Sequence, residues 1–337
     1  PNAEANKLVP NFAKKVEVSD DMTTYTFYLI KGVRWSDGHP FTVDDIVFWY
    51  EDVLLNKKLT PIVGEMFKAN GEVMDLTKID NYTFEIKFEK TQPFFLKRTV
   101  HQIGWNFLYP KHYLKQFHPK YTDKDILDKK IQAEGYDHWY ELFRNKNLQV
   151  VNVPLNPDLP TLTSYQLVEK TSSRKIYERN PYYWKVDSEG NQLPYINRIE
   201  VESVTSREVL NGMVMSGEVD FAAFQADIRN YPMFKKYEDK GGYKTLLWTS
   251  GMGTEVAYML NLTHKDPGLR EVFQNVKFRR ALSLAIDRQE INQTIYFGKA
   301  EPRQYTVVET SNFYEPEFSK SYIEFKPEKA KNMLDEI

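Results

Sequence analysis

Residues 82–89 read Tyr82-Thr-Phe-Glu-Ile-Lys-Phe-Glu89. The bulky residues Tyr82, Phe84, Ile86 and Phe88 alternate strictly with Thr83, Glu85, Lys87 and Glu89. A period of two puts one set of side chains on a buried face and the other in water, the pattern of an antiparallel sheet with one solvated side. A shorter alternation, Tyr25, Phe27 and Leu29 against Thr26 and Tyr28, ends at Lys31-Gly32 and predicts a second strand followed by a turn. Between the two, Thr42-Val-Asp-Asp45 has the form of a capping box, with Thr42 as N-cap and Asp44 and Asp45 in the first turn. Ile46, Trp49, Tyr50, Val53 and Leu54 then recur at helical spacing. Strand, helix and strand so close together predict a mixed α/β fold.

The same reading extends along the chain. Residues 110–148 read as helical, with Asp123, Asp125 and Asp128 near a helix start. Pro154, Pro157 and Pro160 mark an expected inter-domain crossing. Strands are expected at 165–169, 175–179 and 198–204, with a turn-rich loop at 187–191. Ser206 caps a helix carrying Val209, Leu210, Met213 and Val214, and Gly217 stops it. A strand over 219–224 completes a βαβ unit, which would place two parallel strands side by side. The apolar run 246–262, broken by Ser250-Gly-Met-Gly253, predicts two extended segments crossing as paired strands across a flexible joint. One helix carries Phe278, Ala281, Leu282, Ala285 and Ile286, and a last one opens at Pro327 with Ala330, Met333, Leu334 and Ile337 on one stripe.

Composition narrows the classes. A chain of 337 residues is too long for one ordinary core, so two or three domains are expected. Lys and Arg total 45 and Asp and Glu 47, a net charge of -2 that argues against a nucleic-acid-coating or polybasic membrane surface. Without cysteine there are no disulfides, Cys-ligated zinc, iron–sulfur clusters or thiol nucleophiles. No run is long and apolar enough to span a bilayer. The chain opens Pro1-Asn2-Ala3-Glu4, so any export signal is expected to be removed or to lie outside it. Aromatics make up 15% of residues, which suits either a ligand cleft or large cores; composition does not choose.

Catalytic patterns are scarce. His39, His101, His112, His118, His138 and His264 never fall at zinc-hydrolase spacing, and there is no G-x-S-x-G elbow. Gly251-Met-Gly253 lacks the third glycine of a dinucleotide loop and reads better as a hinge or bulge. Asp44 and Asp45 are helix neighbours whose side chains diverge, so charge at a helix N-terminus outweighs a catalytic pair. No catalytic residue, metal or cofactor is expected, and no nucleic-acid partner. The residues by themselves fit a binding protein without naming one.

Four stretches carry a resemblance. They are Tyr25-Thr-Phe-Tyr-Leu-Ile-Lys-Gly-Val-Arg-Trp-Ser-Asp-Gly-His-Pro-Phe-Thr-Val-Asp-Asp-Ile-Val-Phe48; Glu178-Arg-Asn-Pro-Tyr-Tyr-Trp184 with Gly190-Asn-Gln-Leu-Pro-Tyr-Ile196; Gly217-Glu-Val-Asp-Phe221; and Val276-Lys-Phe-Arg-Arg-Ala-Leu-Ser-Leu-Ala-Ile-Asp-Arg288. In this order they resemble the extracytoplasmic solute-binding proteins of ABC importers, in the dipeptide/oligopeptide-binding (family 5) class. Two departures stand out. Pro160-Thr-Leu-Thr-Ser-Tyr165 replaces the family's glycine-rich turn, and the chain is shorter than family members, as a middle section would be.

The resemblance implies a type II periplasmic-binding-protein-like α/β fold, two lobes with an extra α+β subdomain, incomplete in this chain. It divides the sequence into an extra subdomain of lobe I (1–155), part of the lobe I core (156–247) and the start of lobe II (248–337). It implies capture of an oligopeptide in a hinged cleft and delivery to ABC permease subunits, by an extracytoplasmic monomer that touches the membrane only through the permease or a lipid anchor. An oligosaccharide ligand is the alternative; a non-transport receptor or a glycoside hydrolase is more distant, and no enzyme activity is expected. From their positions, Trp105, Trp248, Tyr258 and Asn261 are candidate ligand contacts. The competing reading of each is a core aromatic or a turn-capping amide.

Overall fold

The computed structural model describes residues 9, 11–99, 107–150, 153–223, 226–248 and 252–337. They form two compact units, Pro1–Ser203 and Val204–Ile337. In the first, strands β1 (Ala13–Val18) and β2 (Thr24–Leu29) lead into helix α1 (Val43–Phe48), which continues as a π-helical turn over Trp49–Leu54. A two-residue hairpin, β3 (Lys68–Ala69) with β4 (Glu72–Val73), precedes β5 (Asp75–Lys78) and β6 (Thr83–Lys87). The four longer strands make one antiparallel sheet in the order β1-β2-β6-β5.

The alternation at 82–89 dictates this sheet's faces. Phe84, Ile86 and Phe88 are buried, as are Tyr25 and Leu29 on the neighbouring strand, with Tyr25 opposite Ile86. Phe27 and Phe84 pair in register and stack with ring centroids 4.9 Å apart. Helices α2 (Phe95–Thr99), α3 (Lys111–Leu114), α4 (Lys124–Ala133) and α5 (Trp139–Lys146) follow. Asp123 is the N-cap of α4, and Leu142 and Phe143 of α5 are buried. One continuous apolar core runs from Tyr25 through Trp35, Phe48 and Phe143 to Leu159 and Leu162. This core explains the aromatic content on the first unit's side: the rings are packing material.

The unit ends with a small ladder, β7 (Gln149–Val150) against β8 (Val153–Pro154), and a three-stranded antiparallel sheet. That sheet comprises β9 (Tyr165–Lys170), β10 (Arg174–Arg179) and β11 (Arg198–Glu202) in the order β11-β10-β9. Here the expected βαβ unit is corrected. The helix is present as α6 (Arg207–Ser216), capped by the Ser206 side chain and stopped by Gly217 at φ 79°. However, β11 runs antiparallel to β10, and residues 219–223 form no strand. A strand exists only through its ladder hydrogen bonds, and residues 219–223 have no parallel neighbour to supply them.

In the second unit α6 packs against α7 (Tyr231–Gly241). The approach is close at Gly217, where a Cβ would lie 2.3 Å from the Gly241 carbonyl oxygen. Helices α8 (Pro267–Gln274), α9 (Val276–Leu284), α10 (Arg288–Ile295), α11 (Pro316–Lys320) and α12 (Pro327–Asp335) complete it. Ala281 and Leu284 of α9 bury against Ala330 of α12, with Tyr322 and Met333 at the margin. The predicted stripe on the last helix is narrower than expected, because Leu334 and Ile337 stay exposed. The paired-strand crossover expected at 246–262 is also corrected. Residues 246–248 and 256–260 carry no strand pairing, and residues 249–251 lie outside the described residues. Apolar side chains alone do not make a ladder; a partner edge must be present.

Candidate functional site

Of the four proposed contacts, Trp105 lies outside the described residues. The other three sit in the second unit, on the segment around Gly253. That glycine has φ +66°, and a Cβ there would meet the Thr306 carbonyl oxygen at 2.2 Å. Only glycine allows both the left-handed backbone and the contact, which fixes the residue type at 253; Ser250 and Gly251 of the expected joint lie outside the described residues. Thr254 Oγ1 donates to the Val256 carbonyl at 2.9 Å. Beyond it Tyr258 is 81% exposed, and on the other side of the joint Trp248 is 74% exposed. Neither is a core aromatic within its unit.

Asn261 is differently employed. Its Oδ1 accepts hydrogen bonds from the Thr263 backbone N–H at 3.1 Å and the Thr263 hydroxyl at 3.0 Å. The side chain thereby closes a turn ahead of α8. Among the described residues no hydrogen bond or ring contact joins Trp248, Tyr258 and Asn261. The arrangement presents two open aromatic faces, which can stack on planar or sugar-like surfaces, and a segment whose backbone groups are unpaired in any sheet.

The conspicuous motifs of the first unit converge on a different place. Ser36 and Thr161 exchange bonds: the Ser36 N–H donates to the Thr161 carbonyl at 2.9 Å, and the Thr161 N–H donates to Ser36 Oγ at 3.0 Å. Asn180 is buried between them and its own motif. Its Nδ2 donates to the Thr163 carbonyl at 3.0 Å and its Oδ1 accepts from the Tyr182 N–H at 2.9 Å. The Tyr182 ring lies over Gly38, where a Cβ would come within 3.0 Å of it, and Trp184 packs on Phe12 at 5.6 Å. Trp35 is buried, with Nε1 3.4 Å from Asp45 Oδ2. These residues hold the unit together, and Trp35 and Trp184 stay outside the candidate contacts.

The neighbouring acids Asp44 and Asp45 do not converge. Asp44 pairs with Lys78 at 2.8 Å on the surface. Asp45 is buried and caps α1, accepting from the Thr42 N–H at 3.1 Å and from the Lys111 N–H at 3.0 Å. Burial raises its carboxyl to a pKa of about 6 despite those donors. A second buried acid, Asp52, takes the Tyr121 hydroxyl at 2.5 Å and the Lys120 ammonium at 2.8 Å. Burial, and then this bond, push the Tyr121 hydroxyl up to about 12. Sequence reading passed over this cluster because its members are far apart in the chain. Among the described residues no group of three or more His, Asp or Glu is placed to hold a metal ion, and no helix is long and apolar enough to cross a membrane.

Comparison with known proteins then decides the family. The family model described as bacterial extracellular solute-binding proteins, family 5, middle, matches residues 7–337. The chain belongs to this family. Among curated relatives, the periplasmic alpha-galactoside-binding protein of Rhizobium meliloti (strain 1021) is 28% identical over 314 residues, covering 88% of this chain and 41% of the relative. The periplasmic oligopeptide-binding protein OppA of Salmonella typhimurium (strain LT2) is 24% identical, over 97% of this chain and 54% of its own length. Among solved structures, an oligopeptide-binding protein OppA shares 39% identity with a TM-score of 0.79, over 99% of this chain and 52% of that one. The periplasmic binding protein MelB from Agrobacterium fabrum C58, in complex with stachyose, shares 27% identity with a TM-score of 0.61, over 97% and 47% of the two chains. The chain thus has the periplasmic-binding-protein-like α/β fold of family 5, and it spans about half the length of the curated relatives it matches.

Proposed function

We propose that this chain serves in an ABC importer as the solute-binding protein, capturing oligopeptides outside the cytoplasm and handing them to membrane permease subunits. The supporting observation is the 39% identity and TM-score of 0.79 to an oligopeptide-binding protein across 99% of the chain. In this reading residues 1–155 are an extra subdomain of lobe I, 156–247 part of that lobe's core and 248–337 the start of lobe II. The protein works as a monomer, on a lipid anchor or free in the periplasm. It binds and does not catalyse.

The physical mechanism is a shift between open and closed forms. Contacts made by both lobes exist only when closed, so a ligand moves the equilibrium by its differential affinity for the two states. Main-chain hydrogen bonds to an extended peptide give affinity that tolerates many sequences. Trp105, Trp248, Tyr258 and Asn261 are the residues assigned to the ligand; the open faces of Trp248 and Tyr258 favour this assignment.

A second reading is an oligosaccharide ligand. Two comparisons favour it: 28% identity to an alpha-galactoside-binding protein and 27% to a protein solved with stachyose. Exposed indole and phenol faces suit sugar rings as well as peptides. A thermal-shift panel on the whole protein, with a mixed oligopeptide library in one arm and galactosides in the other, separates the two. Peptides are expected to raise the melting temperature; stabilisation by galactosides alone transfers the assignment to sugars, and stabilisation by neither refutes both.

A further inference from the structure

The imidazoles of His39 and His112 lie face to face, with centroids 4.0 Å apart and planes 6° from parallel. His39 is in the turn after Asp37, and His112 is in α3, so this stack joins two elements far apart in sequence. His112 Nε2 is bonded to Asp37 Oδ2 at 2.7 Å, and His39 Nδ1 lies 3.0 Å from the Pro40 carbonyl oxygen. The carbonyl can only accept, so Nδ1 of His39 carries its proton. With Nε2 of His112 donating to Asp37, Nδ1 of His112 is the bare nitrogen; it is buried and has no hydrogen-bond partner.

An added proton on His112 therefore has one place to go, and that place offers no acceptor. The new charge would also face the His39 ring at stacking distance. The other charged groups around the pair do not remove the difficulty. Asp37 already holds Nε2; Arg34 donates to the Gly38 carbonyl in the same turn; Lys115, immediately after α3, adds positive charge. From α1, Asp45 faces His39 but accepts backbone bonds from Thr42 and Lys111.

We propose that the His39–His112 stack is an acid-opened latch between the 36–40 turn and α3. A neutral His112 holds it shut; protonation of His112 drives the ring out of the stack so that Nδ1 reaches water. The direction of titration agrees. Burial, foremost, with smaller contributions from His39 and Lys115, lowers the pKa of His112 below its usual value, and Asp37 opposes them. A histidine less basic when folded favours the native state above the unfolded value of about 6.5, and that contribution is lost as pH falls through the folded value. The turn it releases also carries Ser36, bonded to Thr161, and Gly38, which lies under the Tyr182 ring.

The test is histidine-resolved NMR titration of the whole chain from pH 7.5 to 4.5, with hydrogen exchange of the turn amides corrected for intrinsic rates. His39→Phe keeps a ring and removes the charge; the His112 midpoint is expected to rise by about one pH unit, the scale for unit charges 4 Å apart under strong screening. Asp37→Asn is expected to lower it by a similar amount. In the wild type, exchange of the Gly38 amide, which bonds the Trp35 carbonyl, should rise about tenfold between pH 7 and 5. A His112 midpoint unmoved in both variants, or Gly38 protection unchanged through the His112 titration, overturns the latch. If His39→Phe loses its native near-ultraviolet dichroism, Asp37→Asn and the wild-type exchange profile decide.

Discussion

The two units differ in how far they enclose their large aromatics. Residues up to 203 wrap Trp35, Phe41, Phe48, Phe88, Phe95 and Phe143 into one core whose members are almost fully enclosed. Residues from 204 bury Ala281, Leu284 and Ala330 as their core cluster, yet leave Trp248, Tyr258, Met259, Phe313 and Phe318 largely open to solvent. Exposed apolar area on this scale is a face that something else covers, either a partner or the remainder of a longer chain, since this chain spans about half the length of its relatives. The lesson is that the first unit is stabilised by its own aromatic interior, whereas the second leaves these aromatics uncovered within this chain.

The comparison can be broken most forcefully at Phe48, which packs on Tyr121 and Phe143. Phe48→Ala should cost about 3–5 kcal/mol by urea titration, in a transition belonging to the first unit. A single transition in which both units melt together would erase the distinction. The pH dependence of Asp45 comes next. Its folded pKa of about 6 lies above the reference 3.8, so its contribution is fully present below pH 3.8 and lost as pH rises through 6. Relative to Asp45→Asn, the wild type should lose about 2 kcal/mol between pH 4 and 7. A flat difference between the two proteins across that range contradicts the buried-acid assignment.

Smaller effects sharpen the contrast. Leu284→Ala should cost about 2 kcal/mol, the low end for a buried leucine because its cluster is small, and only in the second unit's transition. Thr42→Ala removes the acceptor for the Asp44 N–H and should cost about 1 kcal/mol in the first. Chemical denaturation followed by a probe in each unit reads both.

What the sequence made legible follows the same division. Strands at 24–29 and 83–87, the Thr42 cap, the Ser206–Gly217 helix bounds and the Pro327 start are local patterns, each contained within a few turns or one alternating run. Long-range pairings were not legible. Nothing in Arg198-Ile-Glu-Val-Glu202 says that it pairs antiparallel with β10 rather than parallel with a later strand. Nothing near Asp45 says that the Lys111 N–H will reach it. The apolar run 246–262 stands out in the sequence, but periodicity cannot distinguish a strand in a ladder from an open segment carrying exposed rings. The family was legible because its motifs are local too, and several of them, such as Ser36 with Thr161 and Asn180 with Tyr182, turn out to bond one another or their shared neighbours.

The most direct test of solute capture is native mass spectrometry of the whole protein carrying this chain, purified without added ligand and then gently activated. The account predicts a released population of short peptides of mixed sequence, one per protein molecule, with binding weakened when Trp248 and Tyr258 are both changed to alanine. A protein that emerges ligand-free and takes up neither peptides nor oligosaccharides on incubation would contradict it.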